Sequence, residues 1–238
     1  MDKRKLLLLS NSTNYEESYL GFATPIINHF LGGTVKNVVF IPYAGITINY
    51  DDYTARVQNA LGGIGLSILG IHGCNNKLEA IENADAIMVG GGNSFALLNQ
   101  LYVNGLLDII REKVRQGTPY VGWSAGSNMA CPTLKTTNDM PIVEPPSFDA
   151  LGLIPFQINP HYTESSLPDH GGETRMDRLN EFLIVNQEIK ILGLQEGCAL
   201  KVEGNQIEMI GDKPAKVYEY GKKISKVTSQ SDLNFLMH

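Results

Sequence analysis

Short apolar runs alternate with amphipathic stretches over the first two-thirds of the chain. Lys5 to Leu9, Asn37 to Pro42, Ser67 to Ile71, Ala86 to Val89 and Thr118 to Gly122 are too short for helices and read as strands. Between them, Asp51 to Leu61, Lys77 to Asn83 and Phe95 to Gln116 carry helical spacing. Leu97, Leu98, Leu101, Leu106, Ile109 and Ile110 give the last of these its apolar face, and Asn104-Gly105 splits it into two helices. Strands apolar on both faces and separated by helices predict a mostly parallel sheet with helices on each side.

The pattern then changes. Cys131 to Ser166 is rich in proline, threonine and asparagine and reads as irregular loop, the usual place for a site built over a sheet edge. Met176 to Val185 reads as a helix and Lys190 to Leu194 as a strand. From Cys198 onward, Ala199 to Val202, Ile207 to Ile210 and Ala215 to Tyr220 read as β-hairpins, turned at Gly204-Asn205 and Gly211-Asp212. No repeat, low-complexity tract or linker interrupts this order, so residues 1–238 are expected to form a single α/β domain.

Composition narrows the function classes. With 43% hydrophobic and 18% charged residues the chain has the make-up of an ordinary soluble protein. A net charge of −6 gives no electrostatic reason to expect nucleic acid, and it requires a local cation if the substrate is acidic. Cys74, Cys131 and Cys198 have no metal-ligand spacing and read as reduced thiols of a cytoplasmic protein. The apolar run after Lys5 is too short for a signal peptide, and no run approaches the roughly 20 residues of a membrane span.

The densest chemical signal is Gly122-Trp-Ser-Ala-Gly126, a G-x-S-x-G pattern directly after a strand and opening a helix-compatible run. Such a turn lifts a serine hydroxyl above the sheet and aims the next amide, that of Ala125, at a developing oxyanion; the new helix adds its dipole there. The plainer alternative is a strand–turn–helix corner in which glycines merely allow tight packing. Val89-Gly-Gly-Gly-Asn93 also follows a strand and precedes a helix, so Gly91 or Gly92 is a candidate second oxyanion donor. A phosphate-binding nest is the poorer alternative, because no nucleotide fingerprint is present.

Serine needs a base. His29, His72 and His238 read as structural, whereas His161 lies in the loop-rich middle, with His170 as its competitor. An acid must hold the far ring nitrogen, and both Glu196, just past a strand, and Asp139, between serine and histidine in the chain, qualify.

Leu7 to Thr13, Val89 to Asn93, Gly122 to Gly126, Ala130 to Thr133, Thr136 to Val143, Phe148 to Leu151, Gln157 to His161 and Gly172 to Arg175 resemble, in order, the motifs of the peptidase E family of α-aspartyl dipeptidases. The resemblance implies a three-layer α/β/α fold akin to class I glutamine amidotransferases, with serine in place of their cysteine. It implies Ser124 as nucleophile, His161 as base, Glu196 as the third triad member and Asp139 as an essential aspartate. It implies short peptides with N-terminal aspartate as substrates and no metal or cofactor; the charge and the short apolar runs predict neither a nucleic-acid nor a membrane partner, and a homo-oligomer is possible. Selecting aspartate needs a cation, for which Arg175 is the candidate, and Asn93 is also expected to bind substrate. Two other readings are a cyanophycinase-like exopeptidase acting on β-aspartyl links and a non-catalytic, amidotransferase-like small-molecule binder.

Overall fold

Residues 2–165 and 171–238 are described by the computed structural model of the chain. Among the described residues, eleven strands run in chain order: β1 Lys5–Leu9, β2 Asn37–Ile41, β3 Ser67–Gly70, β4 Ala86–Val89, β5 Tyr120–Trp123, β6 Gln157–Asn159, β7 Ile191–Gly193, β8 Ala199–Glu203, β9 Gln206–Ile210, β10 Ala215–Tyr218 and β11 Ser225–Val227. The helices are α1 Ala23–Leu31, α2 Tyr50–Leu61, α3 Lys77–Glu82, α4 Ser94–Val103, α5 Leu107–Gln116, α6 Ala125–Met129 and α7 Arg175–Val185. As the hydrophobic pattern predicts, Asn104 and Gly105 separate α4 from α5, with Gly105 in the left-handed region.

A seven-stranded sheet has the order β3-β2-β4-β5-β1-β8-β9. Its first five strands are parallel, and β8 and β9 extend it antiparallel. Alternation along β1 explains the burial on both faces. Leu6 and Leu8 enter one core cluster with α4, α5 and α6, while Leu7 and Leu9 enter another with α1 and α2. Helices therefore cover both faces, giving the three-layer α/β/α arrangement.

Two expectations need correction. The middle segment is not wholly irregular, because Gln157–Asn159 forms β6. Gly211-Asp212 does not turn a hairpin, because β9 stays in the large sheet while β10 joins a second sheet of order β11-β10-β7-β6. In that sheet β6 and β7 are parallel and the other pairings antiparallel. Ile158, Leu192 and Val217 insert into the same core cluster as β1, α4 and α5, so the second sheet is packed directly against the layer that carries the large one. Among the described residues, no helix is long and apolar enough to cross a membrane.

Candidate active site

Ser124 sits where β5 ends and α6 begins, with φ 53° and ψ −114°. Only a tight corner produces this backbone, and its cost, about 1–3 kcal/mol for such a conformation, must be met by the surroundings. The Ser124 amide donates to the Leu9 carbonyl of β1 at 3.0 Å, which pins the corner to the next strand. Gly126 explains the small residue that follows: a Cβ there would lie 2.1 Å from the Val89 carbonyl oxygen of β4. Helix α6 is only five residues long, so its dipole is a weaker aid to an oxyanion than a full helix would supply.

The glycine loop after β4 lies against this corner. A Cβ on Gly91 would come within 3.0 Å of the Ser124 Cβ, and Gly92 has φ 134° with its α-carbon backed closely onto the Ala44 carbonyl. Among the described residues, no hydrogen bond engages the amides of Gly91, Gly92 or Ala125, so all three are available as donors. Tyr53 of α2 ties loop and nucleophile strand together: its hydroxyl donates to the Gly91 carbonyl at 2.9 Å and accepts from the Trp123 Nε1–H at 3.3 Å. Burial raises the Tyr53 phenol above its ordinary range, so it stays a neutral donor.

His161 comes from the second sheet, two residues past β6. Its Nε2 lies 2.8 Å from the Ser124 Oγ and its Nδ1 2.6 Å from the Glu196 Oε1. Glu196 follows β7, and because β6 and β7 are parallel with Asn159 opposite Gly193, both side chains leave the same end of the sheet. With a proton on Nδ1 the ring donates to Glu196 and offers a lone pair at Nε2 to the serine hydroxyl. His161 itself has φ 52°, so Ser124 and His161 account for two of four non-glycine residues with positive φ among those described.

The motifs around the site are its braces. Ser10 Oγ accepts the His161 amide at 2.9 Å and donates to the Leu194 carbonyl at 2.8 Å, and Asn11 accepts the Gly197 amide at 2.8 Å. The end of β1 thus clasps the segments of both His161 and Glu196. Asn128, Thr136 and Asn138 hold β6 through bonds to the Ile158 carbonyl and to Pro160. Cys131 is part of the same packing: its sulfur accepts the Ile158 amide at 3.1 Å, and burial pushes its thiol up to about 12.

Asp139 is not at the histidine. Its carboxylate accepts from the Ser94 amide at 2.7 Å, the Ser94 hydroxyl at 2.6 Å and the Thr137 hydroxyl at 3.1 Å, anchoring the start of α4 and the end of the glycine loop. Of the two acids left open by the residue pattern, Glu196 alone touches His161. Asn93 lines the cleft beside Ser124, but its side chain caps α4 through the Ala96 amide and donates to the Met140 carbonyl. His170 lies outside the described residues, and His72 pairs with Asp51.

Arg175 opens α7 and donates to the Asn159 Oδ1 at 3.2 Å, two residues before His161. It is half-buried, burial lowers its basicity, and no carboxylate pairs with it among the described residues. It does not line the cleft of about 550 Å³ that contains Ser124, Gly91, Gly92 and His161. Among the described residues, the permanent cation that does is Arg56 of α2, which no sequence signal singles out within an ordinary amphipathic helix. Among the described residues, no group of three or more His, Cys, Asp or Glu side chains is arranged to hold a metal ion.

Comparison with known proteins gives this geometry its context. The profile described as Peptidase family S51 matches residues 6–210. A peptidase E of Nostoc sp. is 49% identical over 98% of this chain and 97% of its own, and one of Streptomyces coelicolor is 48% identical over 98% and 94%. The crystal structure of a peptidase from an acI-B1 Actinobacterium shares the fold, with a TM-score of 0.69 at 16% identity over 98% of this chain and 97% of that one. A family profile matched from β1 to β9, together with near-half identity along the full chain, establishes that the protein belongs to peptidase family S51.

Proposed function

We propose that this protein is a serine-type dipeptidase that hydrolyses dipeptides with an N-terminal aspartate through an acyl-enzyme. The observation that carries the reading is the unbroken line Glu196–His161–Ser124, with contacts of 2.6 and 2.8 Å. His161 takes the hydroxyl proton as Ser124 Oγ attacks the scissile carbonyl, and Glu196 stabilises the imidazolium that forms. The amides of Ala125 and of Gly91 or Gly92 receive the oxyanion; one such donor is worth about 3 kcal/mol of transition-state stabilisation. His161 then returns the proton to the leaving amine, and water resolves the acyl-enzyme by the reverse steps.

Arg175 is the proposed partner of the substrate aspartate. A half-buried guanidinium held by a neutral asparagine has unmet capacity for a carboxylate, and it stands next to the segment that presents His161. Asp139 acts as a positioning residue for the glycine loop. Residues 1–238 work as one domain, since the two sheets each supply part of the line. Three unpaired cysteines, two of them buried, suit a reducing cytoplasmic setting.

The test is hydrolysis of Asp-X, Glu-X and Asn-X dipeptides by the wild type and by Ser124→Ala. Activity confined to Asp-X and absent from the variant is expected; activity surviving in Ser124→Ala overturns the assignment. Arg175→Ala should raise KM for Asp-X far more than it slows cleavage of a small neutral ester, and an equal loss on both would overturn a role for Arg175 in selecting aspartate.

A further inference from the structure

Arg56, in the middle of α2, lines the cleft beside Ser124 together with Tyr19 and Tyr53. It is the one permanently charged residue among the described residues lining that cleft, and no aspartate or glutamate faces it there. Among the described residues, no carboxylate pairs with it elsewhere. Its guanidinium instead lies over the Tyr19 ring, 4.2 Å from the centroid. Tyr19 in turn packs edge-on against Trp123, the residue before the nucleophile, with ring centroids 6.5 Å apart. A cation–π contact uses none of the guanidinium N–H donors, which leaves them for an anion, and the aromatic support limits the wandering of the side chain.

In a chain of net charge −6, an unpaired arginine beside the nucleophile marks the place where an anionic group arrives. A dipeptide with N-terminal aspartate brings two carboxylates, the aspartate side chain and the C-terminus. Arg175, outside the cleft lining, serves the first in the dipeptidase reading on which this inference rests. Both carboxylates lie three bonds from the scissile carbonyl, a separation of roughly 4 Å, so with the side chain directed toward Arg175 the C-terminus must also lie close to Ser124 in any productive pose. The cleft volume of about 550 Å³ falls within the roughly 300–1,000 Å³ usual for small-molecule sites.

We propose that Arg56 binds the C-terminal carboxylate of the substrate, so that the cleft accepts a single residue after the scissile bond, with Tyr19, Tyr53 and Ile48 flanking its side chain. A longer peptide puts an amide where the guanidinium expects an anion and moves the carboxylate beyond it. Length selection then comes from the charge of Arg56 in the cleft lining.

The experiment compares kcat/KM for Asp-Leu and for aspartyl p-nitroanilide, which carries the same acyl group without a second carboxylate, in wild type, Arg56→Ala and Arg56→Lys. Arg56 is exposed, so neither substitution disturbs the core. Arg56→Ala should lower kcat/KM for Asp-Leu by about 10- to 100-fold, chiefly through KM, and leave the anilide within about twofold; Arg56→Lys should recover part of the loss. An equal loss on both substrates, or no loss on Asp-Leu, overturns the subsite while leaving the dipeptidase reading intact. A wild type that cleaves neither substrate overturns that reading, and the subsite falls with it.

Discussion

The nucleophile corner and the relay that reaches it are built in opposite ways. Around Ser124 the backbone is close-packed: β5 and α6 are buried and press against the end of β4 so closely that Gly126 has no room for a Cβ. The relay is open and remote. His161 and Glu196 are 40% and 51% exposed at their side chains and depend on Ser10 and Asn11, more than 150 residues away in the chain, to stand where they do. Geometry that must not vary is stored in close-packed backbone, whereas the relay side chains are half-exposed and steadied from beneath by hydrogen bonds to the buried Ser10 and Asn11.

Substitutions can break or sharpen this contrast. Ser124→Ala removes the attacking atom without touching the packing, and Asp-X hydrolysis should fall by about 10⁴-fold or more with an unchanged Tm. Glu196→Gln keeps the ring in place but weakens support for the imidazolium, and kcat should fall by about 10²- to 10³-fold with little change in KM. A Glu196 effect as large as that of Ser124 would mean the exposed relay is as rigid as the corner.

Tyr53→Phe tests the corner from behind. It strands the Gly91 carbonyl and the Trp123 N–H, so stability measured by urea unfolding should drop by about 1 kcal/mol. Steady-state kinetics should show kcat lower by up to about tenfold, as the oxyanion loop loosens, with KM nearly constant.

The smallest effect is expected at the opposite end of the sheet. The Asp85 carboxylate accepts the Asn37 and Lys36 amides at 2.8 and 3.1 Å, and these bonds hold its pKa below the usual carboxylate value. A depressed folded pKa contributes stability above the unfolded value, about 3.9, and loses it as pH falls through the folded one. Asp85→Ala should therefore lower Tm at pH 7, converge with the wild type in acid below that range, and leave kcat/KM unchanged.

Much of this was legible along the chain. The boundaries of β1 and β4, the Asn104-Gly105 break and the β8–β9 hairpin follow from hydrophobic period and turn residues, because these act between near neighbours. The second sheet was not. Three-residue strands such as β6 and β11 carry too little pattern to stand out from loop, and the departure of β10 from β9 depends on which edge finds a partner. Arg56 was invisible for a related reason: on an amphipathic helix a cleft-facing arginine looks like any solvated one.

Gly122 to Gly126 and Val89 to Asn93 announce two strand-to-helix turns with small residues, since turn chemistry acts between chain neighbours; their approach to each other, pinned by Leu9 and Tyr53, belongs to the tertiary structure. The order Asp139, His161, Glu196 leaves either acid able to orient the ring. The parallel pairing of β6 with β7 decides between them, setting Glu196 against Nδ1 while Asp139 is bound to Ser94 on α4. A hydrogen bond acts over about 3 Å, and spacing along a chain says little about which carboxylate will come that near once two sheets have packed.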